Sequence, residues 1–441
     1  MQKSLSASSA LFRLAKGDAE TTYNAIISIL ESFNLKVEQV RGQCYDGAST
    51  MSGSHRGVQE RFKTVERKAL DIHCANHALN LVLVDVIHQS DSFAQIFDLI
   101  NCVFSFFTKS HVRNSKLEEA VSRSGTTGPK SLKRIVSTRW SSSHDAVNTL
   151  LNIFVPLIEV LEEEKELSAI AQGIYSGLKD YSKLILLLVV RSILSKINPC
   201  VKFLQSGALN FQSTLRAVSE LQSSFREMKN NFDTWFSTVK STAEELCAVC
   251  GIPCEYRSKR IGSESTDPES VMKNIIIASF DLLITEIDER FQAFSNVMIN
   301  FDCFSEKDRD KFKRLTETYS TDVNRDNLET EWSTYELVYA SNDLSSEMPI
   351  TEIYKALDSK SFFKMLPNIR KLMEIGLCIP STSVICERSF SKLKLIKSFL
   401  RSSMSQDRLC DLALVNIEQQ LSKSIDSDEL LNVFLKSNRR F

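Results

Sequence analysis

Val37-Glu38-Gln39-Val40-Arg41-Gly42-Gln43-Cys44-Tyr45-Asp46-Gly47-Ala48-Ser49 is the stretch on which the reading of the fold turns. Val37, Val40 and the small or aromatic run to Tyr45 read as a short buried strand, and Asp46-Gly47 marks the place where the chain must turn. Upstream, Tyr23, Ile26, Ile27, Leu30 and Phe33 recur at helical spacing behind Asp18, a ready N-cap, and Asn34 can close that helix. Downstream, a polar helix is expected over 54–68, a strand near 69–72, and a helix from about 75 to 87 whose Leu79, Leu83 and Val86 share a face. Helix, strand, helix, strand, helix is α/β patterning.

Further along, Ser122 to Ser131 reads as a loop, and Leu132-Lys133-Arg134-Ile135-Val136 as a strand leading into Ser137-Thr138-Arg139-Trp140. From about 145 to 375 the periodicity is that of long helices, interrupted by loop-like stretches around 250–270 and 322–344. Within 302–360, 14 Asp and Glu stand against 8 Lys and Arg, which predicts an acidic, solvated region. The end of the chain again becomes dense in apolar residues. A helix after Ser381-Thr382-Ser383 carries Ile385, Phe390, Leu393, Ile396 and Leu400, and one opened by Ser405 carries Leu409, Leu412, Ala413, Ile417 and Leu421. The second has more apolar residues than one packing face uses, as an interface would.

Composition bounds the whole. With 441 residues, 43% hydrophobic and 25% charged, wholesale disorder is excluded, and only 13 glycines and 8 prolines favour long helices over a turn-rich β architecture. A net charge of −1 excludes a uniformly basic coat, so any nucleic-acid surface has to be local. Eleven scattered cysteines suit a reducing compartment. The apolar run Leu184–Val190 is seven residues between Lys183 and Arg191, short of the roughly 20 that cross a bilayer. No signal-peptide pattern opens the sequence, and no membrane partner is expected.

Several residues could carry chemistry. A carboxylate held at a strand end, as Asp46 is, can ligate Mg²⁺ in a two-metal nuclease, although an Asp before Gly also serves as a plain turn former. His73, Cys74 and His77 lack the further ligands zinc needs, and Cys247-x2-Cys250-x3-Cys254 lacks a second pair, so these thiols read as free. Arg139-Trp140, behind Lys130, Lys133 and Arg134, joins charge to an indole, which suits phosphate contact and base stacking or, equally, a core Trp after a strand. Glu387 stands alone among Arg388, Lys392, Lys394, Lys397 and Arg401, a stripe that suits a phosphate backbone or an ordinary exposed helix face.

Singly these signals are weak, but in order they are not. Cys44-Tyr45-Asp46-Gly47-Ala48-Ser49-Thr50-Met51-Ser52-Gly53, His73-Cys74-Ala75-Asn76-His77-Ala78-Leu79-Asn80-Leu81, Ser137-Thr138-Arg139-Trp140, and Cys386-Glu387-Arg388-Ser389-Phe390-Ser391 with Arg401-Ser402-Ser403-Met404 resemble the motif series of hAT-superfamily DNA transposases. More narrowly, they resemble the branch of zinc-finger MYM-type and related transposon-derived proteins. The resemblance implies an α/β plus α chain: a partial RNase H-like fold interrupted by a long all-helical insertion. Its domains would be 1–145, 146–374 as the insertion, and 375–441 as the completion with a dimerisation region.

By that resemblance Asp46 matches the second acid of the catalytic triad and Glu387 the third, the Mg²⁺ ligands of an active enzyme. Cys74 and His77 match the C-x-x-H element, and Arg139, Trp140, Arg388 and Lys392 stand where DNA contact is expected. The family's first acid lies on an opening strand, and only 45 residues precede Asp46, so that strand and its neighbours are expected to be missing, by true truncation or by a gene model that starts late. Without the shared ligand a two-metal site loses its charge and spacing. The expectation is therefore a catalytically inactive nuclear protein without a cofactor, acting by self-association or with other hAT-type proteins and by residual DNA contact. Its alternatives are an active Mg²⁺-dependent transposase and a helical interaction scaffold.

Overall fold

The computed structural model describes residues 14, 16–53, 56–129, 131–135, 140–206, 211–256, 267–342, 344–397 and 403–436. The chain divides into two compact units, Met1–Cys74 with Leu377–Phe441, and Ala75–Gly376. The first division thus falls after Cys74 rather than near 145.

In the first unit, α1 (Ala19–Ser32) starts at Asp18, whose carboxylate accepts the Thr21 N–H at 2.7 Å. It ends as expected at Asn34, whose φ of 56° reverses the chain so that the Leu35 N–H reaches the Leu30 carbonyl. Val37–Gln39 forms a single 3₁₀ turn instead of strand, and β1 is confined to Gly42–Tyr45. After α2 (Ser49–Ser52) and α3 (Val58–Val65) comes β2 (Leu70–His73), parallel to β1 with Gly42 opposite Leu70 and Tyr45 opposite His73. Val58, Phe62 and Ala69 form the buried centre, covered by Tyr23, Ile26, Ile27 and Leu30 of α1, with Tyr23 edge-on to Phe62 at 5.0 Å. Buried Gln43 ties the layers together, its Nε2 donating to the carbonyls of Gln59 (3.2 Å) and Ala69 (3.1 Å).

The regular structure of the second unit is all helical among its described residues. It runs α4 (Ala75–Gln89), α5 (Asp91–Thr108), α6 (His111–Arg123), α7 (Trp140–Asn152), α8 (Phe154–Glu164), α9 (Ala169–Leu178), α10 (Tyr181–Leu204), α11 (Phe211–Asn230) and α12 (Phe232–Cys250). Then follow α13 (Pro268–Met298), α14 (Cys303–Glu306), α15 (Arg309–Thr318), α16 (Leu328–Ala340), α17 (Ile350–Ser359) and α18 (Pro367–Cys378). The strand expected at 132–136 does not form: Leu132–Ile135 have no regular structure, and Val136 lies outside the described residues. With no neighbouring strand among the described residues to complete its hydrogen bonds, a short segment of strand-like composition does not become sheet.

α10 is a 24-residue helix, long and apolar enough by length and composition to cross a bilayer, so its span exceeds what the seven-residue run suggested. Its apolar residues are nearly all buried within the fold, as in the core helix of a globular unit. The 31-residue α13 begins at Asp267-Pro268, where the carboxylate accepts the N–H groups of Glu269 and Ser270 and proline occupies the first turn.

The stretch expected to be loop-like at 322–344, within the acidic region 302–360, is largely the helix α16. Its Trp332, Tyr335 and Tyr339 are buried, with Trp332 stacked on Phe312 at 4.1 Å. Its acids are partly internal as well. Glu331 is buried and accepts the Asn368 N–H (2.8 Å), Asn368 Nδ2 (2.6 Å) and the Ile369 N–H (3.3 Å), which caps α18. An acid count cannot distinguish a solvated carboxylate from one that satisfies a buried helix end.

Returning to the first unit, α19 (Val384–Ile396), α20 (Gln406–Ile417), α21 (Gln419–Lys423) and α22 (Ser427–Lys436) complete the chain. α20 opens at Ser405, whose hydroxyl accepts the Arg408 N–H, and the helix expected over 405–422 breaks at Glu418 into α20 and α21. Overall the chain is helix-rich, with its α/β character confined to β1, β2 and their covering helices among the described residues.

Candidate functional site

The first unit brings together the end of β1, the end of β2 and the first turn of α19. β1 is held close to the segment before α19 by Gly42, where a Cβ would stand 2.6 Å from Pro380 Cδ and 3.2 Å from Ile379 Cα. Cys44 points to the face shared by Ile72 and Cys74, because side chains alternate along a strand. The Cys74 N–H donates to the Tyr45 carbonyl at 2.8 Å, extending the ladder by one bond. Buried Cys74 also receives the Ser383 N–H on its sulfur at 3.3 Å, which anchors the start of α19.

Three cysteines lie near one another here, Cys74 buried, Cys44 half-buried and Cys386 exposed. A hydrogen bond to Cys74, then burial, then the nearby Cys74, Cys386 and Asp46 push the Cys44 thiol far up from its ordinary value. Burial first, then Glu387 and Cys74, raise Cys386. These thiols are therefore neutral at physiological pH. Tyr45 is raised too, by burial and by Cys44 and Asp71.

The two acids occupy the rim. Asp46 is exposed, and its Oδ1 accepts the Ala48 N–H at 3.2 Å across Gly47, whose φ of +82° needs glycine. The His73 ring lies against this turn, with Nε2 at 2.7 Å from where a Gly47 Cβ would be. Glu387 is exposed on the first turn of α19, one residue beyond Cys386. Among the described residues no three His, Cys, Asp or Glu side chains converge as a metal site would require. Mg²⁺ takes hard oxygen donors in octahedral array, and the thiols of Cys44, Cys74 and Cys386 add none to the carboxylates of Asp46 and Glu387.

The remaining expected site residues are dispersed. His77 is half-buried on the first turn of α4, in the second unit. Arg139 lies outside the described residues, as do Lys130 and Arg401, and Trp140 begins α7. Of the other basic residues in that segment, Lys133 pairs with Asp145 at 2.7 Å. Arg388, Lys394 and Lys397 are exposed on α19. Lys392 is turned to structural use: its Nζ donates to the carbonyls of Asn416 (2.8 Å) and Ile417 (3.1 Å), closing the end of α20. Cys44, Cys386 and Ser383 were not singled out as site residues. The signal for them was positional, since Cys44 lies two residues before Asp46 on the same strand face and Cys386 immediately precedes Glu387.

α19 and α20 pair over a small centre of Ile396, Leu409 and Ala413, flanked by Leu393, Met404 and Ile417. Around it much apolar surface stays in solvent. Phe390 is 64% exposed and Leu395 78%, with Leu412, Leu414, Val415, Leu421 and Ile425 exposed beyond them, and α22 buries none of its residues. A family model described as the hAT family C-terminal dimerisation region matches residues 335–421, and one described as the ZMYM1/FAM200 RNase-like domain matches residues 10–57. The chain is hAT-derived. The second match holds α1, β1 and Asp46, and the first holds α19 and α20 with their exposed faces. This hAT-derived chain is 23% identical over 429 residues to the human protein named "52 kDa repressor of the inhibitor of the protein kinase", with 90% of this chain and 55% of that protein covered. It is likewise 23% identical to the mouse protein of the same name, over 90% of this chain and 56% of that one. The chain thus spans about half the length of the curated relatives it matches.

Proposed function

We propose that this chain works by assembling with a second copy of itself, or with another hAT-type chain, through its C-terminal helices, and that it does not cut DNA. The observation that carries this is the uncovered apolar face of α19 to α22. Exposed apolar surface of this kind marks an interface, and as far as Leu421 it lies within the match to a dimerisation region. That no three His, Cys, Asp or Glu side chains converge as a metal site among the described residues supports the non-nuclease half of the reading. The relatives are named as repressors, and by extension we propose a nuclear, regulatory role built on assembly.

Residual nucleic-acid contact belongs to the same reading, because Arg388, Lys394 and Lys397 project from α19 into solvent. Placing charge in the apolar face tests the assembly directly. A chain carrying Leu395→Glu with Val415→Glu should stay folded by circular dichroism and lose self-association, and retention of the assembly would count against these helices as the interface. For the DNA contact, affinity for duplex DNA should fall steeply with salt and weaken in Arg388→Ala with Lys394→Ala; a flat salt response would remove that part of the proposal. Mg²⁺-dependent strand cleavage lost on Glu387→Gln would overturn the non-nuclease reading.

A further inference from the structure

The cysteines of Cys247-x2-Cys250-x3-Cys254 play no part in the function proposed above, and the structure sorts them into a pair and a bystander. α12 ends in a left-handed Gly251 (φ 61°), after which the Ile252 N–H returns to the Cys247 carbonyl at 2.9 Å. This closure folds the chain back over the last helical turn and buries Ile252. The same closure carries Cys254, two residues later, back beside the Cys247 thiol. Cys247 is buried and Cys254 is exposed, whereas Cys250 faces Lys179 and Glu159. Tyr256 then packs edge-on against Tyr181 at 5.1 Å, at the first residue of α10.

We propose that Cys247 and Cys254 form a thiol-oxidation site, at which hydrogen peroxide or a related hydroperoxide converts the contacting thiols into an intramolecular disulfide that pins the 251–256 segment to α12. The accessible Cys254 meets the oxidant first. Its thiolate sulfur attacks one peroxide oxygen, the O–O bond breaks, hydroxide leaves and is protonated to water, and Cys254 becomes a sulfenic acid. The Cys247 sulfur then attacks the Cys254 sulfur; the S–S bond forms, the S–O bond breaks, and the Cys247 proton leaves with the hydroxyl as a second water. Two thiols and one peroxide yield one disulfide and two waters. Burial and the neighbouring Cys254 and Cys250 push Cys247 up to about 12, which makes it the resolving partner and not the sulfur that first reacts. In a reducing compartment the pair rests as thiols, so the link would report oxidation and not serve as a permanent staple.

The test uses the full chain, reduced, freed of reductant, exposed to graded hydrogen peroxide, alkylated and mapped by mass spectrometry. The expected result is a Cys247–Cys254 crosslinked peptide as the first intramolecular disulfide to appear, reversed by dithiothreitol. It should be abolished in Cys254→Ser and unaffected in Cys250→Ser, with slower proteolysis of the 251–256 segment in the oxidised wild type. Cys250 pairing with either partner, or Cys254 ending as sulfinic acid while Cys247 stays alkylatable, would overturn the proposal.

Discussion

In the Ala75–Gly376 unit Trp332 is fully buried against Phe312, Phe304 and Tyr335, and a buried carboxylate closes a helix end with three hydrogen bonds. In the other unit, α19 and α20 meet over three buried residues and leave Phe390, Leu395 and Val415 in water. The contrast lies in what each unit does with the apolar residues its helices carry. The first completes its own core, while the C-terminal helices leave apolar side chains exposed.

The largest expected effect tests the completed core. Trp332→Ala should cost about 3–5 kcal/mol in denaturant unfolding, and Leu409→Ala in the small C-terminal cluster clearly less. Equal costs would erase the distinction. Glu331→Ala should cost about 2–3 kcal/mol, because it strands the Asn368 and Ile369 donors at the start of α18; a loss below 1 kcal/mol would show that water replaces the carboxylate.

In the other unit, Gly42→Val should cost about 1–3 kcal/mol, since its Cβ meets Pro380 and Ile379. It should also speed alkylation of buried Cys74 as the 379–383 segment moves away, and unchanged alkylation would mean that β1 does not hold that segment. The smallest effect concerns Asp302, half-buried with Gln212 Nε2 donating to it at 2.9 Å. Burial raises its pKa above the unfolded value, so its contribution favours folding below the unfolded pKa and is lost as pH rises through the folded pKa. Asp302→Asn should therefore be slightly more stable at pH 7 and show a flatter stability profile across the acid range. A variant less stable at pH 7 would reverse that sign.

Much of this architecture was legible in the sequence because short-range physics fixes it. Asp18 and Asn34 bound α1, Asp46-Gly47 ends β1, and Ser405 opens α20, each through hydrogen bonds or backbone conformations local to those residues. What was misread depended on distant partners. Leu132–Ile135 has the composition of a strand but no strand to pair with among the described residues, and the charges around Glu331 conceal a buried cap formed with residues 37 and 38 positions away. At the site, Asp46 and Glu387 could be placed by motif. The nearness of Cys44, Cys74 and Cys386 could not, because it arises from strand register and from the close approach at Gly42.

Light scattering on the purified full chain across a micromolar concentration series measures the central claim most directly. The account predicts a molar mass approaching twice 49.9 kDa, falling to one chain when Leu395 and Val415 are both replaced by Glu. A wild-type mass that stays at one chain throughout the series would contradict it.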